Sequence, residues 1–300
     1  MEFSHQPVML SEAITALNVR EGGFYVDGTI GGGGHTRAIL ERVGSNGTVL
    51  GLDRDSEAIR YLHEALSPTA PNLILRQGNF SRLNEYLNEL GEETVDGILL
   101  DLGVSSFQLE QSSRGFTFLK DESLDMRMNP DEGSPASDLV NRLSEKELAD
   151  LIYQYGEERA SRRIARGIVW ARKQQPITST AELARLVRRS LYRPGNRPRI
   201  DPATRTFMAL RLAVNDELGH LERFLALAVN VIKPYGRVVI ISFHSLEDRL
   251  VKRALVPPMR AKDQTGILAA LYKKPLRPEP EEVARNPRAR SARLRAGERR

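Results

Sequence analysis

The chain has no cysteine, which removes disulfides, thiolate catalysis and thiolate-bound zinc from consideration. Its five histidines (His5, His35, His63, His220 and His244) show no metal-ligand spacing, so no metal site is expected. No Gly-x-Ser-x-Gly element occurs, which argues against a Ser/His/Asp hydrolase built on a nucleophile elbow. No stretch approaches the ~18 to 20 apolar residues of a membrane span. Residues 1–6 lack the basic start and apolar centre of a signal peptide. These absences predict a soluble, cytoplasmic protein with no membrane partner. What is present is ordinary for a globular chain: 300 residues, 40% of them apolar, enough for one large or two modest domains.

The charge is unevenly spread. The net value is +5, yet residues 157–199 hold twelve Lys/Arg against three Glu (+9), and residues 284–300 hold seven Arg against one Glu (+6). The rest of the chain is therefore acidic, at −10. Two concentrated arginine-rich segments predict contact with a polyanion, nucleic acid before others, because guanidinium groups suit phosphate and base contacts. A pair of solvated helix faces with a basic tail would give the same composition.

Four glycines, Gly31 to Gly34, follow the apolar run Phe24-Tyr25-Val26-Asp27 and precede a helix-like stretch from Thr36. A turn without Cβ atoms lets a small molecule touch the backbone. About 22 residues after Gly31, a second apolar run, Thr48 to Leu52, ends in Asp53, where an acid can accept the hydroxyl hydrogens of a ribose. Gly31, Gly33 and Asp53 therefore read as half of a nucleoside site. Thr36 stands where the dinucleotide fingerprint needs a third glycine, which weakens an NAD reading and favours an adenosine ligand without pyrophosphate.

Strand patterns (Phe24–Asp27, Thr48–Asp53, Asn72–Gln77, Val95–Leu102) alternate with helix patterns (Thr36–Val43, Ser56–Leu66, Ser81–Leu90). The rhythm predicts a doubly wound α/β sheet with ligands beyond its carboxyl strand ends, where Asp27, Asp53, Asn79-Phe80 and Asp101 fall. From about Phe107 to Leu212 no strand is predicted. Residues 145–173 read as helical, with one apolar stripe and a second stripe of Arg159, Arg162, Arg163 and Arg166. Ala181–Leu191 repeats the theme, and Asp201-Pro202 reads as a helix start. The sheet pattern returns at Gly236–Phe243, closed by His244; Tyr272–Leu276 and Ala292–Ala296 read as edge strands. The domain boundaries expected are 1–106 with 213–300, and a helical insert at 107–212. Arg114–Phe118 reads either as a lid or base-stacking surface, or as core packing.

Taken in order, these segments resemble the bacterial 16S rRNA cytosine-N4 methyltransferase family (the RsmH/MraW type). The matching pieces are His5-Gln6-Pro7-Val8, Asp27–His35, Gly51–Asp55, Asp96–Ser106, Arg114–Phe118, Leu124–Met128, Gly156–Arg159, Pro202–Phe207, Ser242–Arg249 and Asn286–Ser291. The resemblance implies a Rossmann-like S-adenosylmethionine-dependent methyltransferase fold with an inserted all-helical subdomain for substrate recognition. It implies S-adenosyl-L-methionine as cofactor and N4-methylation of a cytidine in the decoding region of 16S rRNA of the small ribosomal subunit. It places Gly33, Gly34 and His35 at the methionine end of the cofactor, Asp53 on the ribose and Phe80 on the adenine, with Asp101 and Gln108 completing the pocket. Two positions depart from the family pattern: Asp201 where a histidine is expected before Pro-Ala-Thr-Arg, and Met208 where a glutamine is expected.

A cytosine amine is a poor nucleophile, because its lone pair is delocalised into the ring, so a hydrogen-bond acceptor is needed beside it. Many amino-methylating enzymes use an Asp/Asn-Pro-Pro-aromatic motif; this chain has Asp101-Leu102-Gly103-Val104 in that slot. The candidates are Asp101, Asp125 and His244. The candidate RNA contacts are Arg159, Arg162, Arg163, Arg166, Arg205, Arg288 and Arg290. Two other readings stay open: a non-catalytic rRNA-binding or ribosome-assembly factor with a retained nucleoside pocket, and an NAD-dependent oxidoreductase. A homodimer is left open as well.

Overall fold

The computed structural model describes residues 7–66, 68–110, 112–192, 194–195, 200–256 and 265–300. His5, Gln6, Arg193 and residues 196–198, which the sequence reading assigned to a motif and a loop, lie outside them. The chain divides into two compact units, Met1–Gly103 with Leu218–Arg300, and Val104–Glu217.

The first unit opens with α1 (Leu10–Leu17), β1 (Phe24–Asp27), α2 (Gly34–Val43), β2 (Thr48–Asp53), α3 (Ser56–Leu66), β3 (Leu73–Gln77), α4 (Leu83–Glu89) and β4 (Val95–Asp101). The second contains α5 (Ser106–Glu110), α6 (Ala136–Arg142), α7 (Glu145–Gly156), α8 (Ser161–Arg172), α9 (Thr180–Leu191) and α10 (Thr204–Asn215). The chain then completes the first with α11 (Glu217–Val231), β5 (Ile232–Ser242), α12 (Ser245–Ala254), β6 (Leu268–Ala270), α13 (Pro280–Arg285) and β7 (Arg293–Arg299).

The seven strands form one sheet in the order β3-β2-β1-β4-β5-β7-β6. β1 to β5 pair in parallel, and β7 runs antiparallel to both β5 and β6. Parallel strands covered on both faces need apolar residues on both, and β4 shows it: Ile98 and Leu100 enter the core with Phe224 of α11, while Leu99 enters the opposite one with Ile14 and Leu17 of α1. The chain leaves β1 toward β2 and leaves β4 toward β5, so β1 and β4 flank the point where the strand order reverses. In such sheets the ligand crevice lies outside the carboxyl ends at that point. The fold is the Rossmann-like α/β sheet that the strand rhythm predicted.

Three expectations need correction. Tyr272–Leu276 is not a strand: Leu276 makes one isolated bridge to Leu294, and Pro275 lacks the amide a ladder requires. The edge strand is instead Leu268–Ala270, paired with β7. Residues 145–173 do not form one helix, because Glu157 adopts a left-handed φ of 48° and stops α7 before α8 begins. Finally, α10 starts at Thr204, after a turn in which Asp201 accepts the amide of Ala203 at 2.9 Å.

In the second unit, α6 to α10 pack around Leu148, Ile152, Ile164, Ile168, Leu183, Val187 and Leu210. Its one strand-like feature among the described residues is a bridge between Ser123 and Ser179. α8 is amphipathic as its stripes predicted: Ile164, Ala165 and Ile168 are buried, and Arg162, Arg163 and Arg166 are exposed.

Candidate functional site

β1 ends in Asp27, and the chain must turn at once into α2. Gly31 and Gly33 make the turn with φ of 47° and 77°, values an L side chain rarely adopts. The turn is fastened to the neighbouring strand ends: the Gly28 amide donates to the Leu99 carbonyl and the Ile30 amide to the Leu52 carbonyl, both at 2.9 Å. The Gly31 amide donates to Asp53 Oδ2 at 2.9 Å. The glycine turn and the acid of β2, read from the sequence as two halves of one site, are therefore joined directly. Asp53 Oδ1 accepts the Asp55 amide at 2.9 Å. Each carboxylate oxygen keeps a further lone pair for a ligand hydroxyl.

Thr36, the departure from the dinucleotide fingerprint, is fully buried, and its hydroxyl donates to Asp27 Oδ2 at 2.6 Å. A hydroxyl thus ties α2 to the end of β1 where the fingerprint would use a glycine. Thr29 links the same turn to β4, its hydroxyl accepting the Asp101 amide at 2.6 Å.

Asp101 ends β4 with Oδ1 buried and, among the described residues, without a hydrogen-bond partner. Its Oδ2 lies 3.9 Å from His35 Nδ1. His35 Nε2 is 3.1 Å from the Val8 carbonyl; a carbonyl only accepts, so Nε2 carries a proton and Nδ1 faces Asp101. Burial, with Asp27, Glu247 and Glu282 adding like charge, holds Asp101 well above the usual carboxylate range. Burial also pushes Asp27 up to about 6 against its hydrogen bonds from Thr36 and Thr29. It pushes Asp53 up to about 6 against the amides of Asp55 and Gly31. Carboxyl groups clustered and buried at one end of the sheet hold their protons tightly, and a cationic ligand would favour their ionised forms.

At the end of β3, Gly78 donates its amide to the Asp53 carbonyl at 2.8 Å. Asn79 follows; its Oδ1 accepts the Ser81 amide at 2.9 Å, which leaves Nδ2 buried and unpartnered among the described residues. Phe80 is half-buried and meets Phe224 edge-on, ring centroids 5.7 Å apart. Asp27, Gly31, Gly33, Gly34, His35, Asp53, Phe80 and Asp101 thus all stand at the carboxyl ends of β1 to β4. Sequence reasoning missed Thr29, Glu247 and Glu282 as parts of this surround. Asn79 was legible from its place just past a strand; those three carry no local signal.

His244 has a structural occupation. It caps α12, with Nδ1 accepting the Glu247 amide at 3.4 Å, while Glu247 Oε2 accepts the amides of Phe243 and His244 at 2.9 and 3.3 Å. Glu247 Oε1 lies 3.2 Å from His244 Nε2, which is buried and, among the described residues, makes no hydrogen bond. One turn on, Asp248 accepts from Arg293 at 2.9 Å and from Arg295 at 2.7 Å, clamping α12 to β7.

In the second unit, Asp125 is held by Arg127 through Nε at 2.7 Å and Nη2 at 2.8 Å. Burial alone would raise its pKa, but the Arg127 bonds outweigh it and the carboxyl stays ionised below the usual range, a poor proton acceptor. Gln108 is buried and its Oε1 accepts the Ser105 amide at 3.0 Å. Arg114–Phe118 is packed: the Gly115 amide donates to Glu122 at 3.0 Å, and Phe118 lies 4.8 Å from Phe207 in the helical core. Arg159, Arg162, Arg163, Arg166 and Arg205 are exposed; Arg166 lies 3.5 Å from Glu145 and Arg205 3.5 Å from Glu158. Asp201 accepts a two-pronged pair from Arg188, at 3.0 and 2.8 Å. Arg288 and Arg290 are exposed on a short turn, Pro287–Ser291, of the first unit.

Comparison with known proteins agrees with this geometry. The family model described as "MraW methylase family" matches residues 2–300. A protein of Acidobacterium capsulatum is 50% identical over 302 residues, covering 98% of each chain. Relatives from Geobacter sulfurreducens and Geotalea uraniireducens are 49% and 47% identical, covering 99% of each chain. All three carry the name ribosomal RNA small subunit methyltransferase H. With a Rossmann-like sheet, a glycine turn hydrogen-bonded to the acid of β2, and a family match along nearly its whole length, the chain belongs to the MraW methylase family.

Proposed function

We propose that this chain transfers a methyl group from S-adenosylmethionine to the N4 amine of a cytidine in the decoding region of 16S rRNA, in the cytoplasm. One observation carries the cofactor half: the 2.9 Å hydrogen bond that joins the Gly31 turn to Asp53. The names of the relatives support ribosomal RNA of the small subunit as substrate. The cytidine and its N4 atom come from the motif resemblance. Among the described residues no helix is long and apolar enough to cross a membrane.

The residues present fit the cofactor. Asp53 would accept the ribose hydroxyls, Phe80 would contact the adenine, and the turn at Gly33, Gly34 and His35 would meet the methionine end. When bound, S-adenosylmethionine supplies an activated sulfonium methyl with a good leaving group. The protein's task is then to position the amine and accept its proton. Asp101 suits the second part, with a buried oxygen free of other partners. A neighbouring cation would stabilise its ionised form, so the acceptor would be made ready by the ligand that requires it. A hydrogen bond from the N4 amine to that oxygen would help the nitrogen pyramidalise, and the carboxylate would then collect the proton. The exposed arginines of α8 would supply phosphate contacts, and the target base must leave its stack.

Nucleoside mass spectrometry of 16S rRNA tests this. Cells lacking the protein should lose N4-methylated cytidine and regain it on complementation. An unchanged nucleoside profile would instead favour a non-catalytic assembly factor.

A further inference from the structure

The helical unit shows a feature that the arginine stripes alone do not explain. Trp170 is the only tryptophan of the chain and is 60% exposed. Trp170 continues the basic stripe of α8: at ~100° per residue, Arg162, Arg163, Arg166 and Trp170 fall within an arc of roughly 100°. All four are exposed. On α9, Arg185 and Arg189 are one turn apart and exposed. The Arg189 guanidinium lies 5.7 Å from the centroid of the Trp170 ring. The two helices can approach so closely because α8 carries Gly167 here; a Cβ at that position would lie 2.5 Å from Ser190 Oγ. The contact fuses the basic faces of α8 and α9 into one surface with an indole at the junction.

We infer that Trp170, held on one side by Arg189, is a stacking subsite for an unpaired base of RNA. This rests on the RNA reading above and adds to it a site for a nucleotide other than the methylated one. The chemistry favours single-stranded RNA over an apolar protein partner. The surround is cationic, and exposed unpaired bases stack on aromatic rings flanked by guanidinium groups, whereas a paired base offers no free face. An indole packed on an arginine is also oriented before it binds.

A lone tryptophan gives the subsite its own reporter. Titrating the full chain with a purine-rich single-stranded RNA oligonucleotide should change Trp170 fluorescence, while the matching duplex should bind without changing it. Trp170→Ala should weaken binding of the single strand about tenfold, a typical loss for one stacked base. Trp170→Phe should recover most of that affinity. The slope of log K against log salt should be unchanged in both, because no phosphate contact is removed. Undisturbed wild-type fluorescence at saturating single strand, or full affinity in Trp170→Ala, would overturn the inference. A fluorescence change that follows protein concentration alone would also overturn it, marking a protein interface. Retained N4-methylcytidine in cellular 16S rRNA would then show that the methyltransferase reading stands without the subsite.

Discussion

Asp53 does two jobs, because a carboxylate has more lone pairs than the two backbone amides it accepts. It fixes the glycine turn and keeps acceptor capacity for a ribose. Its pKa of about 6, like that of Asp27, has a thermodynamic consequence. Both groups hold a proton more tightly folded than unfolded, so their contribution to stability is greatest below pH ~4 and is lost as pH rises through about 6. The ligand-free protein is therefore expected to melt at a higher temperature at pH 5 than at pH 7. A calorimetric scan across that window checks the sign. Affinity for the cationic cofactor should move the opposite way, falling as Asp53 protonates. Asp101 is the residue on which turnover should depend. Asp101→Asn keeps the shape but cannot collect a proton, and at saturating cofactor kcat should drop by roughly 100-fold or more. Full turnover in that variant would remove Asp101 from the acceptor role.

At the scale of elements, β1, β2 and β4 were legible because buried parallel strands need continuous apolar runs, and Asp27, Asp53 and Asp101 at their ends interrupt those runs. The helix after the glycine turn began two residues earlier than its apolar pattern implied, since Gly34 already has helical geometry. Other features were not legible because they depend on distant partners. Glu282 of α13 accepts the Met9 amide at 2.7 Å and adds like charge near Asp101, a relation no local pattern encodes. His244 stands at a strand end as a candidate for the reaction, and only the reciprocal bonds with Glu247 show that it also caps α12. Tyr272–Leu276 had apolar ends but carries a proline that the ladder rejects. The clamp of Asp248 on Arg293 and Arg295 fastens α12 to the antiparallel strand. Arg295 is largely shielded and Arg293 about a third exposed, so Asp248→Ala should lower unfolding stability by about 1–3 kcal/mol. A shifted urea midpoint with an unchanged m-value would report it; no shift would mean that the apolar contacts of α12 suffice.

At the scale of the molecule, labour is divided between a unit that carries acids at its strand ends and a helical unit that carries exposed arginines. The sequence displayed part of this division: the basic segment 157–199 lies in the helical unit, while the second, 284–300, belongs to the first. On the proposed reading the acid-rich end of the sheet would favour a positive charge, and Thr36 occupies the place of the third glycine of the dinucleotide fingerprint. Titration calorimetry with S-adenosylmethionine and with NAD, on the wild-type chain and on Asp53→Ala, examines that selection directly. Wild type should bind S-adenosylmethionine and not NAD, and loss of the Asp53 carboxylate should weaken binding by roughly 10- to 100-fold, the worth of hydrogen bonds to a charged group. Tight NAD binding, or an Asp53→Ala variant that binds S-adenosylmethionine as well as wild type does, would contradict the assignment of the Gly31–Asp53 cradle as the cofactor site.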